Sequence, residues 1–332
     1  MRILIIGFGS IAKKHLAALK AIDPSCEVSL LRRQANEDLG EFKPLIKNIY
    51  IDSAIAFQHA HDAVIITNPA VFHAEYVRRC FAVKLPVFVE KPLTANLAEA
   101  QALKQLYDQS SQPVVMVGYC MRFLKPLGII KQMITEGRMG RIFSVGASVG
   151  QWLPDWRPQQ PYQQQVSANA ALGGGAILEL SHEFDYLNWL LGQPTAVTAV
   201  ADTVGNLGIH VEDMAEIIIR YHQGAIGHVH VDFLDKAAHR SCRIIADKGT
   251  LVWQTHEGGS LRWFDAVSRQ WQDLMLPYES SVKMMYEDQM REFLACVKGK
   301  QQPRVGLNEA LEALAIAEAA KIASLEKREV VL

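Results

Sequence analysis

The chain has 332 residues, 49% of them hydrophobic and 21% charged, and a formal net charge of −1. This length predicts two domains with sizeable cores. The near-neutral charge excludes a strongly basic surface field, which would attract nucleic acid or anionic lipid. The apolar start is shorter than a signal peptide, no segment approaches a membrane span of ~20 residues, and the five cysteines form no CxxC pair. We therefore expect a cytoplasmic protein with free thiols.

The first third of the chain alternates strand and helix patterns. The predicted elements, in chain order, are strand 1–7, helix 13–21, strand 28–31, strand 63–67, helix 73–82, strand 87–90, helix 97–107 and strand 114–118. Most of these strands are short, near-continuous runs of Val, Ile, Leu or Phe, as expected of parallel strands that are buried on both faces. The alternation predicts a doubly wound parallel sheet of the Rossmann type over residues 1–120.

The turn between the first strand and helix carries the G-x-G-x-x-A pattern of dinucleotide-binding proteins. Gly7 permits the tight turn, Gly9 lets backbone amides approach a diphosphate, and the small Ala12 lets helix and strand pack closely. Ser10 and Ile11 lie between them, at the helix N-terminus where phosphates bind. These positions predict a dinucleotide cofactor.

The residues that follow the second strand bear on which nicotinamide cofactor binds. NAD-binding domains of this type place an acidic residue there to hold the ribose 2′-hydroxyl, whereas this chain has Arg32 and Arg33 followed by Gln34. Two guanidinium groups suit a 2′-phosphate, which a carboxylate would repel. The pair favours NADP(H); NAD(H) is the alternative if both arginines are only surface charges.

Ligands of open α/β sheets bind beyond the carboxyl ends of the strands, and two predicted turns lie there. Thr67, Asn68 and Pro69 form one of them, where backbone and amide groups can line the nicotinamide side of a cofactor. His73 opens the next helix. We expect His73 to lie at the cofactor site as the first residue of that helix and not to act as a catalyst.

The other turn, Glu90-Lys91-Pro92, places a lone lysine directly after a buried strand. The proline favours an extended Lys91 and makes a cis bond accessible, so that the amine is aimed into the crevice. Lys91 is the best candidate for the chemistry, and Glu90 is its neighbour in the cofactor site. The alternative is a solvated lysine paired with Glu90.

Beyond residue 120 the pattern changes, and residues 121–332 are predicted to form a second domain. Its predicted elements are helix 125–136, strand 142–150, strands 196–202, 214–221, 225–233, 240–246, 249–254 and 261–264, and helices 286–298 and 307–324. Consecutive strands without intervening helices predict an antiparallel sheet.

The segment that follows three glycines at 173–175 has a helical pattern from Ala176 onward. Glu179, His182 and Asp185 are spaced by three and are expected to share one face of that helix. A histidine flanked by carboxylates is a candidate general base, because a carboxylate stabilises the imidazolium that forms when the ring takes a proton. The alternative is a polar helix face without chemistry.

His228, His230 and Asp232 alternate along one predicted strand. Such residues can form a metal site, but we favour a sheet face with polar partners and predict no metal.

The G-x-G-x-x-A turn at Gly7, the Glu90-Lys91-Pro92 turn and the glycine-rich helix with His182 together resemble the Gfo/Idh/MocA oxidoreductase family over nearly the whole chain. The resemblance implies an N-terminal Rossmann domain and a C-terminal α/β domain, built on a large, mostly antiparallel sheet, for substrate binding and oligomerisation. Because the outer face of that sheet often supports homo-oligomers in the family, a dimer or tetramer is expected.

The resemblance also implies roles for matching residues. Lys91 would orient and polarise the reacting hydroxyl or carbonyl, and His182 would exchange its proton while the nicotinamide exchanges hydride. Asp185 would orient the histidine or share its charge. The acidic partner of the family stands four residues before the histidine, where this chain has Leu178; Glu179 lies one residue away from that position.

Two further segments supply candidate substrate-binding residues. In the segment 118–123, Tyr119 and Arg122 are candidates, although related sequences often carry Asn where this chain has Cys120. The segments 150–158 and 178–183 resemble a subgroup associated with bacterial surface-sugar or nonulosonate gene clusters.

In the polar, aromatic stretch 151–169, Trp156 is expected to stack on a sugar face and Arg157 to meet a phosphate of the substrate or the cofactor; Tyr162 is a further candidate. An aromatic loop packed at a domain junction is the alternative.

The sequence therefore predicts an NADP(H)-preferring oxidoreductase that transfers a hydride between nicotinamide and a secondary alcohol or ketone. The expected substrate is a sugar, a sugar acid or a nucleotide-linked sugar. The alternatives are a reductase of a C=C or C=N bond on the same scaffold and a non-catalytic dinucleotide-binding sensor. The presence of both Lys91 and His182 argues against the sensor, which needs neither.

Overall fold

The computed structural model describes residues 1–34, 39–277 and 279–332, and the chain divides into two compact units. The first unit comprises Met1–Phe123 and Val282–Leu311, and the second comprises Leu124–Ser281 and Glu312–Leu332. Within these described ranges, no helix is both long enough and apolar enough to cross a membrane.

The first unit is built on a six-stranded parallel sheet. Up to residue 123 its elements are β1 (Arg2–Ile6), α1 (Ser10–Ile22), β2 (Glu27–Leu31), β3 (Ile46–Tyr50), α2 (Ser53–Gln58), β4 (Ala63–Ile66), α3 (His73–Ala82), β5 (Val87–Val89), α4 (Leu97–Asp108) and β6 (Val115–Val117). The strand order is β3-β2-β1-β4-β5-β6, with every pair parallel. This is the doubly wound order of dinucleotide-binding domains, whose ligands bind beyond the carboxyl ends of the strands.

The second unit is built on a nine-stranded mixed sheet. Its elements up to residue 281 are α5 (Lys125–Thr135), β7 (Ile142–Gly150), α6 (Ala176–Glu179), α7 (His182–Leu191), β8 (Pro194–Asp202), β9 (Met214–Tyr221), β10 (Ile226–Asp232), β11 (His239–Ala246), β12 (Gly249–Gln254), β13 (Ser260–Asp265) and β14 (Gln270–Met275). The chain ends with α8 (Val282–Val297), α9 (Leu307–Glu326) and β15 (Val330–Val331). The strand order is β14-β13-β12-β11-β7-β10-β9-β8-β15, antiparallel except for the parallel pair β7–β10.

Alternation along the strands gives this sheet one covered and one exposed face. In β9, for example, Ala215, Ile217 and Ile219 are buried while Glu216 and Ile218 are exposed. The buried face contacts α6 and α7. The other face carries exposed aliphatic residues on several strands, and these are Val200, Ile218, Ile226 and Ile245.

The sequence predicts the fold class and most of the elements. The helix predicted at 73–82 has those bounds, and the mostly antiparallel second sheet is confirmed. Strands β3, β14 and β15 and helix α2 were not predicted. Strand β3 has no buried residue and β14 has one, because both are sheet edges, so neither has the apolar run that marks a buried strand.

The first compact unit ends at Phe123 and also takes in the late segment Val282–Leu311, so α8 packs with this unit. It lies against α1, and its Phe293 ring stacks edge-on against Phe88 of β5 at 5.6 Å between centroids. A helix from late in the chain therefore completes the core of the first unit. Sequence spacing alone does not reveal such a return.

Candidate active site

The turn between β1 and α1 has the geometry that its glycines predict. Gly7 has φ +85°, and a Cβ added there would lie 3.0 Å from the backbone nitrogen of Asn68. Gly9 caps α1, and a Cβ added there would meet no protein atom within 4 Å. Ala12 is fully buried. The first amides of α1 are therefore open to an approaching anion, which a helix N-terminus favours.

Cationic side chains surround this turn and the end of β2. Arg32 is 8% exposed, and its guanidinium carbon lies 5.8 Å from the centroid of the Phe8 ring. The Lys13 ammonium lies at the same distance from that ring. Arg33 is exposed and lies 5.1 Å from the Phe72 ring. Lys13 was not predicted, although its place one turn into α1 could have indicated it.

The turn after β4 is tied to its neighbours by side chains. Thr67 donates its hydroxyl hydrogen bond to the Ile6 carbonyl at 2.9 Å. His73 is 1% exposed, with Nε2 2.7 Å from the Asn68 carbonyl oxygen and Nδ1 3.0 Å from that of Pro92. Burial lowers the pKa of His73. Because protein carbonyls face both ring nitrogens, His73 links two strand-end turns.

The Lys91–Pro92 peptide bond is cis, and the backbone of Lys91 is fixed by the preceding carboxylate. Glu90 is 8% exposed; its Oε2 accepts a hydrogen bond from the Lys91 amide at 3.1 Å, and its Oε1 lies 2.6 Å from Nε2 of His15. The Lys91 side chain itself is half-buried. The Glu90 carboxylate therefore contacts α1 on one side and the Lys91 backbone on the other, and it fixes the backbone from which the lysine side chain extends.

His15 was missed by the sequence reasoning. It is fully buried on α1 with Ala12, Leu16 and Leu19, which together form the i, i+3, i+4, i+7 spacing of a helix face. That spacing was a usable signal, since a histidine on a buried face needs a polar partner.

The two residues predicted near the end of β6 are both buried. Tyr119 has no exposed surface, and Arg122 is 4% exposed, with Nη1 donating to the Arg304 carbonyl at 3.1 Å. Their substrate contacts stay predictions, which this burial does not favour.

In the second unit the glycine-rich segment does not form one continuous helix. Helix α6 ends at Glu179, residues 180–181 form a turn, and α7 begins at His182. The prediction that Glu179, His182 and Asp185 share one helix face is therefore wrong. A Cβ on Gly174 would collide with neighbouring carbonyl oxygens, and one on Gly175 would collide with a carboxylate, so only glycine fits where the segment begins.

The three side chains differ in surroundings. Glu179 is half-buried and accepts a hydrogen bond from the Ser167 hydroxyl at 2.7 Å. His182 is also half-buried, at the first position of α7, while Asp185 is completely buried. Since Glu179 lies on a different helix, only Asp185 shares an element with the histidine.

A buried ion pair beside His182 was also missed. Glu183 has no exposed side-chain surface, and its Oε1 lies 2.9 Å from Nε of Arg240 on β11, with a second contact of 3.4 Å between Oε2 and Nη2. Burial raises the pKa of the adjacent Tyr186, and the charge of Glu183 adds to this. The pair anchors the first turn of α7 to the sheet.

The aromatic loop is held by packing and backbone contacts. Trp156 packs edge-on against Phe233 at 5.2 Å and donates from Nε1 to the Gln151 carbonyl at 3.2 Å. Tyr162 donates to the Leu207 carbonyl at 2.9 Å, and the Arg157 guanidinium lies 3.5 Å from the Gln165 side-chain oxygen. All three keep part of their surface exposed. Their substrate contacts stay predictions.

The alternating histidines of β10 have polar partners on the sheet face, the favoured alternative. His230 bonds Asp232 at 2.8 Å and Glu216 at 2.7 Å. The bond to Asp232 is the main cause that raises the pKa of His230 to about 9, against the effect of burial, and Glu216 adds to it. In the described part of the chain, no group of three or more His, Cys, Asp and Glu side chains is arranged to hold a metal. All five cysteines are free and buried.

Comparisons with known proteins cover both units. Residues 1–119 match the family described as "Oxidoreductase family, NAD-binding Rossmann fold", and residues 131–332 match "Oxidoreductase family, C-terminal alpha/beta domain". The myo-inositol 2-dehydrogenase of Thermotoga maritima is 26% identical over 358 residues, covering 100% of this chain and 98% of the relative.

Solved structures share the fold. The WlbA dehydrogenase of Bordetella pertussis, solved with NADH and UDP-GlcNAcA, is similar with a TM-score of 0.83 and 21% identity, covering 100% of this chain and 98% of its own. Levoglucosan dehydrogenase, solved with NADH, has a TM-score of 0.89 at 19% identity with the same coverage.

Proposed function

The chain belongs to the Gfo/Idh/MocA oxidoreductase family, and on that premise we propose the reaction that its residues serve. It is an NAD(P)-dependent dehydrogenase or reductase acting on CH–OH groups, of the sugar and polyol dehydrogenase type. The proposed substrate is a secondary alcohol or ketone of a sugar, a sugar acid or a nucleotide-linked sugar. The relatives named above support this class, since their descriptions name inositol, levoglucosan and a nucleotide-linked sugar.

One observation carries the proposal: the lysine turn and the dinucleotide turn lie at the carboxyl ends of two strands of one parallel sheet, one strand apart. Lys91 follows β5, and Gly7 and Gly9 follow β1, with β4 between the two strands. In such sheets a dinucleotide binds beyond the carboxyl ends of the strands, so a half-buried amine at that edge supports a role of Lys91 beside the cofactor. A surface lysine elsewhere would have no such relation to the cofactor.

The residues of the first unit fit a nicotinamide dinucleotide. The open approach at Gly9 and the free first turn of α1 suit the diphosphate. Arg32 and Lys13 place two cations beside Phe8 of this turn, and Arg33 adds a third at the end of β2, beside Phe72; there a 2′-phosphate would be held by charge-assisted hydrogen bonds. On this ground the preferred cofactor is NADP(H), although the two solved neighbours carry NADH.

When bound, the nicotinamide gives or accepts the hydride at the carbinol carbon. Lys91 donates a hydrogen bond to the reacting oxygen and stabilises the charge that develops on it. His182 takes the proton of the alcohol in oxidation and returns it in reduction. Asp185 sits in the first turn of α7 and orients His182. Glu179, which bonds Ser167 from the preceding helix, is assigned no step.

The cofactor preference is tested by titrating NADPH and NADH against the wild type and the variants Arg32→Asp and Arg33→Asp. Each lost charge-assisted bond is worth about 1.5–3 kcal/mol, so the Kd for NADPH should rise at least ~10-fold while that for NADH falls or stays the same. Arg78→Asp, which makes the same charge change at an exposed site on α3, should alter neither. Equal wild-type affinities, or an unchanged NADPH affinity in both arginine variants, would remove the NADP(H) assignment.

The substrate class is tested by a scan of polyols, keto-sugars, sugar acids and nucleotide-linked sugars with NADP⁺ or NADPH, followed by absorbance at the nicotinamide band. Enones and imines belong in the same scan, because their turnover would indicate C=C or C=N reduction instead. Cofactor binding without turnover of any of them would favour a sensor.

The exposed face of the nine-stranded sheet supports a homo-oligomer. Its aliphatic side chains, among them Ile218 and Ile226, form the kind of surface that a second copy of the chain would cover. Light scattering should give a dimer or tetramer, and Ile218→Glu should shift it toward the monomer. A wild-type monomer at micromolar concentration would contradict this.

A further inference from the structure

The hydrogen bond between His15 and Glu90 joins two parts of the first unit that the proposed reaction needs. His15 lies in the second turn of α1, the helix whose N-terminus opens the dinucleotide turn. Glu90 directly precedes Lys91. Because a carboxylate only accepts, Nε2 of His15 carries the shared proton in this 2.6 Å contact.

Among the residues that the structure describes, Glu90 is the one hydrogen-bond partner of the His15 ring. Its Nδ1 is buried and has no hydrogen-bond partner among the described residues. The ring is otherwise enclosed by aromatic side chains, with centroids 4.9 Å from Phe88 and 5.7 Å from Tyr286. Burying an imidazole ring costs free energy unless a hydrogen bond offsets the loss of water. For His15 that bond is made to Glu90, the residue before the lysine.

Glu90 is held on three sides. One oxygen meets His15, the other accepts the Lys91 amide, and the carboxyl group packs against Gly118 at the end of β6. A Cβ on Gly118 would lie 2.8 Å from Oε2, so only glycine leaves room for the carboxylate in this position. The ends of β5 and β6 and helix α1 therefore converge on one buried carboxylate.

We propose that His15 and Glu90 form a positioning pair that sets the Lys91 side chain and ties the lysine turn to α1. Glu90 fixes the backbone from which the lysine extends, and His15 fixes Glu90. This inference rests on the proposed function, because it concerns the residue assigned to polarise the substrate.

The test compares variants that break the pair with one that only weakens the core. His15→Leu and Glu90→Leu remove one partner each, and the double variant removes both. His15→Gln restores a side-chain N–H donor and should rescue. Leu19→Ala is the matched control, because Leu19 is fully buried on the same face of α1 one turn further on. Glu90→Gln keeps the volume of the side chain if the leucine variants do not fold.

Two readouts need no substrate. The first is the rate of reductive methylation of the Lys91 amine, measured by mass spectrometry against the exposed Lys84 as an internal reference. The second is the Kd for NADPH from its own fluorescence. With a substrate in hand, kcat and the primary deuterium isotope effect on kcat are added, since a displaced lysine slows the hydride step whereas a smaller folded fraction does not change the isotope effect.

We expect His15→Leu and Glu90→Leu to change Lys91 methylation at least ~3-fold and to lower kcat at least ~10-fold, with a larger isotope effect. The double variant should be no worse than either single variant, and His15→Gln should recover most of the rate. Unchanged methylation in His15→Leu, or equal effects in Leu19→Ala, would overturn the proposal. If Lys91→Ala itself leaves turnover intact, the proposed function fails, while the methylation result still decides whether the pair positions the lysine.

Discussion

The ion pair between Glu183 and Arg240 predicts a large loss of stability confined to the second unit. Glu183 has no exposed side-chain surface and Arg240 has 22%, so Arg240→Leu leaves a carboxylate buried without its partner. Breaking a buried pair in this way costs about 3–5 kcal/mol. With a urea m-value of roughly 2 kcal/mol per molar for a unit of this size, the unfolding midpoint should fall by about 1.5–2.5 M.

The chain supplies a selective probe for this measurement. All six tryptophans lie between residues 152 and 271, within the second unit, so tryptophan fluorescence reports its unfolding alone. Arg243→Leu is the matched control, because Arg243 is exposed on the same strand, and such a surface change costs less than about 0.5 kcal/mol. NADPH binding by the first unit should not change in either variant.

The double variant Glu183→Leu/Arg240→Leu tests whether the unpaired charge causes the loss of stability. Replacing both partners with apolar side chains removes the stranded charge, so the midpoint should recover most of its loss. If Arg240→Leu shifts the midpoint no more than Arg243→Leu does, or if the double variant is as unstable as the sum of its parts, the pair does not anchor α7 as described.

Three further predictions concern other parts of the chain. The pKa of His230 is raised from 6.5 to about 9, so its contribution to the free energy of unfolding is complete below pH 6.5 and is lost as the pH rises through 9. The free energy of unfolding of the second unit should fall by about 2–3 kcal/mol over that window, and His230→Gln should flatten its dependence on pH. A wild-type curve as flat as that of the variant would contradict this. Gly118→Ala should displace Glu90 and lower kcat, because its Cβ would lie 2.8 Å from the carboxylate; unchanged kcat would show that the carboxylate can move freely. Gly9→Val should leave the melting temperature within a few degrees but weaken NADPH binding at least ~100-fold, since a side chain there meets no protein atom and points where the diphosphate would lie; normal affinity would place the diphosphate elsewhere.

The cofactor half of the fold could be read from the sequence because its signals are local. The Gly7 turn lies between a buried strand and an amphipathic helix, and parallel strands buried on both faces are continuous apolar runs. The edge strands β3 and β14 have no such run, since their side chains are mostly exposed. Their assignment depends on pairing with distant strands, which local patterns do not encode.

The parts of the site that sequence reasoning missed depend on tertiary contacts. Helical spacing predicted one helix through His182, but the backbone turns at Leu180 and Ser181, and Glu179 bonds Ser167 from a separate helix. His15 finds its partner 75 residues away, and Glu183 finds Arg240 at a separation of 57. The spacing of a motif does not reveal such partners.

The most direct test of hydride transfer assisted by Lys91 and His182 is a single-turnover measurement. Wild type, Lys91→Ala and His182→Ala would be mixed rapidly with saturating NADP⁺ and the best substrate of the scan, and nicotinamide reduction followed by absorbance. We predict that each variant loses roughly 100- to 10,000-fold in rate while its Kd for NADPH stays within about 3-fold of wild type. Full rate in either variant would contradict the assignment of that residue to the chemistry.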